Sequence, residues 1–395
     1  MANGELPQGW GVAPIGSLCT RTETLNPARQ PRATFEYIDV SAISNESWSI
    51  IGSTTYLGSQ APSRARKLVR AGDVIFATVR PTLKRVAVVP ADRDGQVAST
   101  AFCVLRGVSE KLDHRFLYYS LLTEDFTARM ENLQRGASYP AVSDGDVMEQ
   151  EIPLPPLPEQ CAIAGVLSKL QGAVEAQDKI ISTLKELKAA TLAKLFREGL
   201  RGEPLKETGI GEIPESWEVV TVGDLVKLGS GATRPSEMAP SQTKEKPFPV
   251  YGGNGVMGFS NKFMTTEDSL VIGRVGAYSG VVHIAPSQSW ITDNALYNRA
   301  SLNSRTNLKF LSAILSYKRL SELQRQGAQP LVTQGVVHAV KIPLPSLEEQ
   351  EDIARIITGL SDGIATASAA LQTRQHLLSS MLHLLMSGEV RLESA

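Results

Sequence analysis

Ile152-Pro-Leu-Pro-Pro-Leu-Pro-Glu-Gln160 decides how this chain is built, because it returns as Ile342-Pro-Leu-Pro-Ser-Leu-Glu-Glu-Gln350, 190 positions on (342 − 152). Prolines fix φ and push the preceding residue out of the helical region, so each copy reads as an extended lead-in. A helix can begin at Pro158 or Glu348, where an acidic first turn suits the helix dipole. After the first lead-in Ile163, Leu167, Leu170, Val174, Gln177, Ile181, Leu184, Lys188, Thr191 and Leu195 alternate steps of four and three. After the second, Ile353, Ile357, Leu360, Ile364, Ala367, Leu371, Arg374, Leu378, Met381 and Leu385 keep the same phase. Such a stripe is a heptad seam. Two stripes at one offset pair with each other, and the polar Gln177, Lys188, Thr191 and Arg374 help set the register. A helix of about 40 residues is roughly 60 Å long, so it acts as a spacer.

The head of each half repeats too. Pro7 and Pro214, Trp10 and Trp217, Gly16 and Gly223, and Leu18 and Leu225 are each 207 positions apart (217 − 10). The chain is therefore an internal duplication of a variable domain followed by a long helix. In the first domain, Phe35–Val40, Asp73–Val79, Arg85–Val89 and Ala101–Leu105 read as strands, and His114–Asn132 as a helix. In the second, Ser269–Ile272, Val281–Ile284 and Ala295–Tyr297 read as strands, and Leu308–Gln326 as a helix. Each domain is α+β.

Composition narrows the function. The 395 residues carry a formal net charge of −1, so any nucleic-acid partner must meet local basic patches. No apolar run reaches membrane-spanning length, and the first residues resemble no signal peptide, so a cytoplasmic protein with no membrane partner is expected. Cys19, Cys103 and Cys161 are too few and too scattered for a disulfide framework or a metal knuckle, and Cys161 reads as a packed residue of the first long helix.

Catalytic motifs are lacking. Gly253-Asn-Gly-Val-Met-Gly258 has the spacing of a dinucleotide loop, but no helical stripe follows it. Tyr251 to Gly255 therefore reads as a tight loop exposing Asn254. The five histidines form no ligand pair one helical turn apart with a carboxylate. A binding protein is favoured over an enzyme. Charge does cluster: Arg64, Arg66, Lys67, Arg70, Arg80, Lys84 and Arg85 meet only Asp73 within their stretch. Arg80-Pro-Thr-Leu-Lys84-Arg85 forms a turn between two strands, and Gln134-Arg135-Gly-Ala-Ser138-Tyr139 is a small-residue loop before the lead-in. Turns presenting such side chains contact phosphates and base edges. Arg274-Val-Gly-Ala-Tyr278 and Arg325-Gln-Gly-Ala-Gln329 stand in the matching places of the second half.

With these residues in view, the sequence resembles the specificity subunit of a Type I restriction-modification enzyme. The paired lead-ins, the long helices and Pro-x-x-Trp at the head of each half carry the resemblance, with Val250-Tyr-Gly-Gly-Asn-Gly255, Gly273-Arg-Val-Gly-Ala277 and Arg135-Gly-Ala137. It implies two target-recognition domains (1–152 and 213–342), two conserved coiled-coil helices (153–200 and 343–390) and a linker (201–212). It also implies partners: double-stranded DNA, two methyltransferase (modification) subunits, and restriction/translocase subunits. S-adenosylmethionine, Mg and ATP would then be needed only by those partners, and this chain would carry no cofactor or metal. The loop before the lead-in often holds a Gln in that family, which Gln329 matches and Tyr139 replaces.

Helix direction follows without the resemblance. A domain of about 125 residues has a radius of gyration near 14 Å, too compact to carry the chain back along a roughly 60 Å helix. The helices should run antiparallel, with one reader at each pole about an approximate two-fold axis. The reading is a non-catalytic subunit that recognises a bipartite, asymmetric DNA target. Two alternatives stay open: a structural coiled-coil adaptor that does not read DNA, and a fused methyltransferase or nuclease half.

The duplication makes a prediction. Residues 1 to about 207 hold one reader and one helix whose seam, with Leu167, Leu170, Val174, Ile181 and Leu184 bared, matches itself. Size determination should find this fragment a two-fold dimer, which buries the stripe isologously; a stable monomer would refute the two-fold arrangement.

Overall fold

The computed structural model describes residues 6–323 and 331–392. The expected contact residues Arg325 and Gln329 lie outside the described residues. Two compact units emerge, Met1–Ile180 with Ser368–Ala395, and Ile181–Ala367.

In the first unit one four-stranded sheet runs in the order Cys19–Thr20, Phe102–Gly107, Val74–Ala77, Val86–Val88. A second runs Thr54–Leu57, Thr34–Ile38, Val97–Ser99, Ala65–Leu68. The first sheet packs on helices through Phe76 and Phe126, whose rings meet edge to face at 5.5 Å. Where one helix over 114–132 was expected, there are two, His114–Ser120 and Glu124–Leu133. The break is chemical: the Thr123 hydroxyl donates to the Ser120 carbonyl and accepts from the Phe126 N–H, ending one helix and capping the next.

The second unit repeats the first sheet with Leu228–Ser230, Ala295–Asn298, Ser269–Gly273 and Val282–Ala285. A three-stranded sheet stands beside it in the order Gly255–Ser260, Phe248–Gly252, Trp290–Ile291. The Gly253–Gly258 run is thus a hairpin turn and the strand after it. The helix expected over Leu308–Gln326 stops at Tyr317, and Arg319 then takes positive φ.

The lead-ins are strands. Glu151–Leu154 pairs antiparallel with Gly11–Pro14, and Lys341–Leu344 with Glu218–Thr221. Each pair is an isolated two-stranded ribbon, so a proline there costs no interior ladder bond. The helices begin at Leu157 and Leu347, one residue ahead of the expected starts, and run to Glu198 and Ser387.

The Glu-Gln that closes each lead-in makes two grips. Glu159 is buried, accepts the Trp10 indole N–H at 3.1 Å, and pairs with Arg391 at 2.8 Å. The Gln160 amide donates to the Lys111 and Pro155 carbonyls and accepts from the Asp113 N–H. In the second unit Glu349 accepts from the Trp217 indole at 3.0 Å and from the Leu200 N–H at 2.9 Å. Gln350 bonds Asn307, Arg305 and Pro345 in the same way. Gly199 and Gly388, at positive φ, end the helices against these sites. A Cβ on Gly199 would lie 2.7 Å from a Glu349 carboxylate oxygen, and one on Gly388 would lie 2.3 Å from the Pro7 ring.

Within the first unit Ile163 and Leu167 of the first long helix share a core with Leu378, Leu382 and Leu385 of the second, and Leu170 and Val174 pack against it. Within the second unit Leu195 and Phe196 share a core with Ile353 and Ile357. Early turns of one helix meet late turns of the other, so the pairing is antiparallel. Ile181 and Ala367 are buried; Leu184, Leu360, Ile364 and Leu371 are half-buried. The polar seam residues pair across the helices: Arg374 donates to Gln177 and to the Ala173 carbonyl, and Lys188 to Ser361 at 2.7 Å. Cys161 is exposed, contrary to expectation, with its thiol 3.5 Å from Asp113. It falls off the apolar stripe of the helix.

Two predictions follow from this packing. Leu167→Ala should destabilise the protein by about 2–5 kcal/mol, because Leu167 is fully buried, whereas exposed Leu187→Ala should change stability by about 0.5 kcal/mol or less. Denaturant titration compares them, and equal effects would place Leu167 off the seam. The Arg391 guanidinium, aided by the Trp10 indole and against the effect of burial, holds the Glu159 carboxyl below its ordinary range. The stability this gives is complete above the ordinary glutamate range and is lost as pH falls through the lower folded-state value. Arg391→Ala should therefore lower the denaturation midpoint at neutral pH, and its deficit should shrink on acidification.

Candidate nucleic-acid interface

In the first unit the hairpin that joins Val74–Ala77 to Val86–Val88 meets the loop before the lead-in. Val79 bridges Ala141, and the Arg80 N–H donates to the Pro140 carbonyl at 2.7 Å. Reciprocal bonds between Arg135 and Ala141, at 2.8 and 2.9 Å, close the loop between them. The Arg80 guanidinium then lies over the Tyr139 ring, 5.3 Å from its centroid, with an N–H 3.5 Å from the Ser138 carbonyl. Tyr139 is 72% exposed. Arg135, whose side chain is also 72% exposed, forms a forked pair with Asp146 at 3.1 and 3.2 Å. Arg80, Arg135, Ser138 and Tyr139 thus share one exposed patch.

Other members of the basic cluster lie elsewhere. Lys67 is largely buried and paired with Asp144 while donating to the Phe102 carbonyl, which commits its charge to the fold. Lys84 pairs with Glu124 and turns toward the long helices. Arg85 is half-buried and donates weakly to the Val40 carbonyl. Arg66 folds back on the Ala65 carbonyl, and Arg64 stays exposed. Asp73, the one acid within that stretch, is buried against Arg106 at 2.8 Å and neutralises none of the surface charge. Asp146 joins the patch unannounced by any charge cluster, and its one sequence signal is the capping box Ser143-x-x-Asp146. The Ser143 amide and hydroxyl, and then Arg135, hold its carboxyl below the ordinary aspartate range.

The second unit builds the same frame with other side chains. Phe76 faces Val86 and Ile272 faces Val282, so each hairpin closes over nine residues, 77–85 and 273–281. Val275 bridges Leu331 as Val79 bridges Ala141. By this register Arg274 corresponds to Thr78, not to Arg80. Its N–H donates to the Asn294 carbonyl and its guanidinium to the Ser230 hydroxyl at 2.7 Å. The positions of Arg80 (φ 52) and Lys84 (φ 50) are filled by Gly276 (φ 72) and Gly280 (φ 85). Tyr278 is half exposed and Asn254 sits exposed at the neighbouring hairpin tip. That tip packs on the turn so closely that a Cβ on Gly273 would fall 2.6 Å from the Gly253 carbonyl. Tyr251 is half-buried against Val271, Ile291 and Tyr297, and burial pushes its phenol pKa up.

A groove of about 1520 Å³ also opens in the first unit. Trp48, Leu122, Val174, Leu378 and Leu382 line it together with Glu46, Glu175 and Asp178, and with Glu124 and Asp125, which pair with Lys84 and Arg129. Carboxylates outnumber cations in this lining, which disfavours a phosphate backbone there.

Known proteins match this architecture. The family described as Type I restriction modification DNA specificity domain matches residues 7–186 and 214–373. The type I restriction enzyme MjaVIII specificity subunit of Methanocaldococcus jannaschii is 27% identical over 334 residues, 75% of each chain. A solved chain from a study of complex assembly in the type I R-M system is 28% identical, with a TM-score of 0.60 over 98% of this chain and all of that one. The S subunit of the type I restriction-modification system of M. genitalium, at 19% identity, shares the fold with a TM-score of 0.66 over 98% of both chains. With both halves of the duplication matched, this chain belongs to the Type I restriction-modification specificity subunit family, the non-catalytic DNA-recognition subunits of these enzymes.

Proposed function

We propose that this chain reads a bipartite, asymmetric double-stranded DNA target, one half-site per unit, and positions modification and restriction subunits around it. The observation that carries the reading is the exposed patch of Arg80, Arg135, Ser138 and Tyr139, assembled from two loops that a β-bridge locks together. Turns bearing Arg and small polar residues supply both phosphate and base-edge contacts. The second unit offers Asn254 and Tyr278 on a frame of equal hairpin length. One frame with different side chains supports two different half-sites. The groove in the first unit, lined by apolar side chains and by Glu46, Glu175 and Asp178, suits a basic amphipathic helix of a modification subunit. S-adenosylmethionine, Mg and ATP serve the partner subunits. Among the described residues no helix is long and apolar enough to cross a membrane, and the site of action is the cytoplasm, where the DNA is.

Mapping methylated positions in the host genome, with and without this chain, tests the reading. An asymmetric two-part motif that vanishes with the chain is the expected result. A salt series of DNA binding discriminates against an adaptor that does not touch DNA, because phosphate contacts give a steep negative slope of log K against log salt. Arg135→Ala should flatten that slope by about one, whereas Lys67→Ala should lower the melting temperature and leave the slope unchanged. Charge reversal of Glu175 and Asp178 should weaken assembly with the modification subunit, read by size exclusion, without changing the melting temperature.

A further inference from the structure

The two nine-residue hairpin turns pose the same steric demand and answer it differently. Both need positive φ at their fourth and eighth residues. L side chains rarely adopt that conformation, and glycine is its default occupant. The second unit uses glycine at both places, and a Cβ on Gly276 would meet nothing within 4 Å, so a side chain at this position projects into open space. The first unit places Arg80 there. An exposed arginine at a position where glycine would relieve the backbone motivates a search for its use.

The surroundings of Arg80 indicate which use. Arg135 is paired with Asp146, Lys84 with Glu124, Lys67 with Asp144 and Arg106 with Asp73. Among the described residues no carboxylate pairs with Arg80. It is held instead by its own N–H on the Pro140 carbonyl and by the Tyr139 ring beneath the guanidinium. The cation–π contact with Tyr139 and the Ser138 carbonyl restrain the guanidinium and leave most of its N–H donors open. The planar fork of a guanidinium matches a pair of acceptors in one plane. In the major groove guanine supplies that pair, O6 and N7, and Arg to guanine is the commonest specific contact.

Resting on the reading that this unit faces DNA, we propose that Arg80 recognises a guanine in the half-site read by the first unit, that Tyr139 is its positioning residue, and that the second unit has no counterpart. A phosphate contact is the competing role.

The test uses the full chain assembled with its modification subunits and a randomised duplex library. The wild-type complex should select a first half-site with an invariant guanine. Arg80→Gly should fold at least as stably, since glycine takes positive φ more readily. It should lose discrimination at that guanine alone, by roughly 5- to 150-fold, while the second half-site is unchanged. Replacing that guanine by 7-deazaguanine should weaken wild-type binding and add nothing to the loss in Arg80→Gly. Tyr139→Phe should keep the preference and Tyr139→Ala should blunt it. Uniform weakening on every sequence would assign Arg80 to phosphate, and unchanged selection would remove it from the interface; either overturns this proposal and leaves DNA recognition standing. A wild-type complex that selects no sequence would overturn both.

Discussion

A buried carboxylate at the first turn of each long helix organises the molecule. Glu159 takes the indole N–H of Trp10 from the head of the chain and the guanidinium of Arg391 from its tail. Glu349 takes the indole of Trp217 and the backbone N–H of Leu200. An acceptor withdrawn from water must find donors, and here the donors come from segments distant in sequence. Each unit is thereby closed where its strand ribbon, the start of one long helix and the end of the other converge. The adjacent glutamine ties the same turn to the globular domain, so the Leu-x-Glu-Gln of the lead-in works as a fastening of helix to reader.

From that fastening the candidate contact loops inherit their position. The lead-in strand follows the loop that meets the hairpin turn, through Val79 and Ala141 in one unit and Val275 and Leu331 in the other. The backbone frame is thus common, and the side chains placed on it are free to differ. Thr78 and Arg274 occupy one place in the frame and Arg80 and Gly276 another, so the duplicated scaffold carries different side chains at equivalent places.

Local signals were legible where the physics is local. Proline spacing, the heptad steps and the Trp and Glu-Gln repeats placed both long helices within a residue of their starts. The short strands of the principal sheets, such as Ser269–Gly273 and Ala295–Asn298, followed from their apolar runs. Strands of the second sheet in the first unit, Thr54–Leu57 and Ala65–Leu68, carried polar residues and gave no such run. Apolar spacing runs unbroken over 114–132, but the capping hydroxyl of Thr123 outweighs it and splits the helix.

By itself the sequence determined the duplication, the pairing of two long helices and the family, because repeats and heptads are written in residue order. It also marked Arg80, Arg135, Ser138 and Tyr139 as contact candidates. Only the tertiary structure separated them from Lys67, Lys84 and Arg85, whose side chains are drawn out of full exposure by groups distant in sequence: Asp144 for Lys67, Glu124 for Lys84 and the Val40 carbonyl for Arg85. It also removed Arg274 from equivalence with Arg80, because strand register, which no short motif records, fixes which residue reaches the turn.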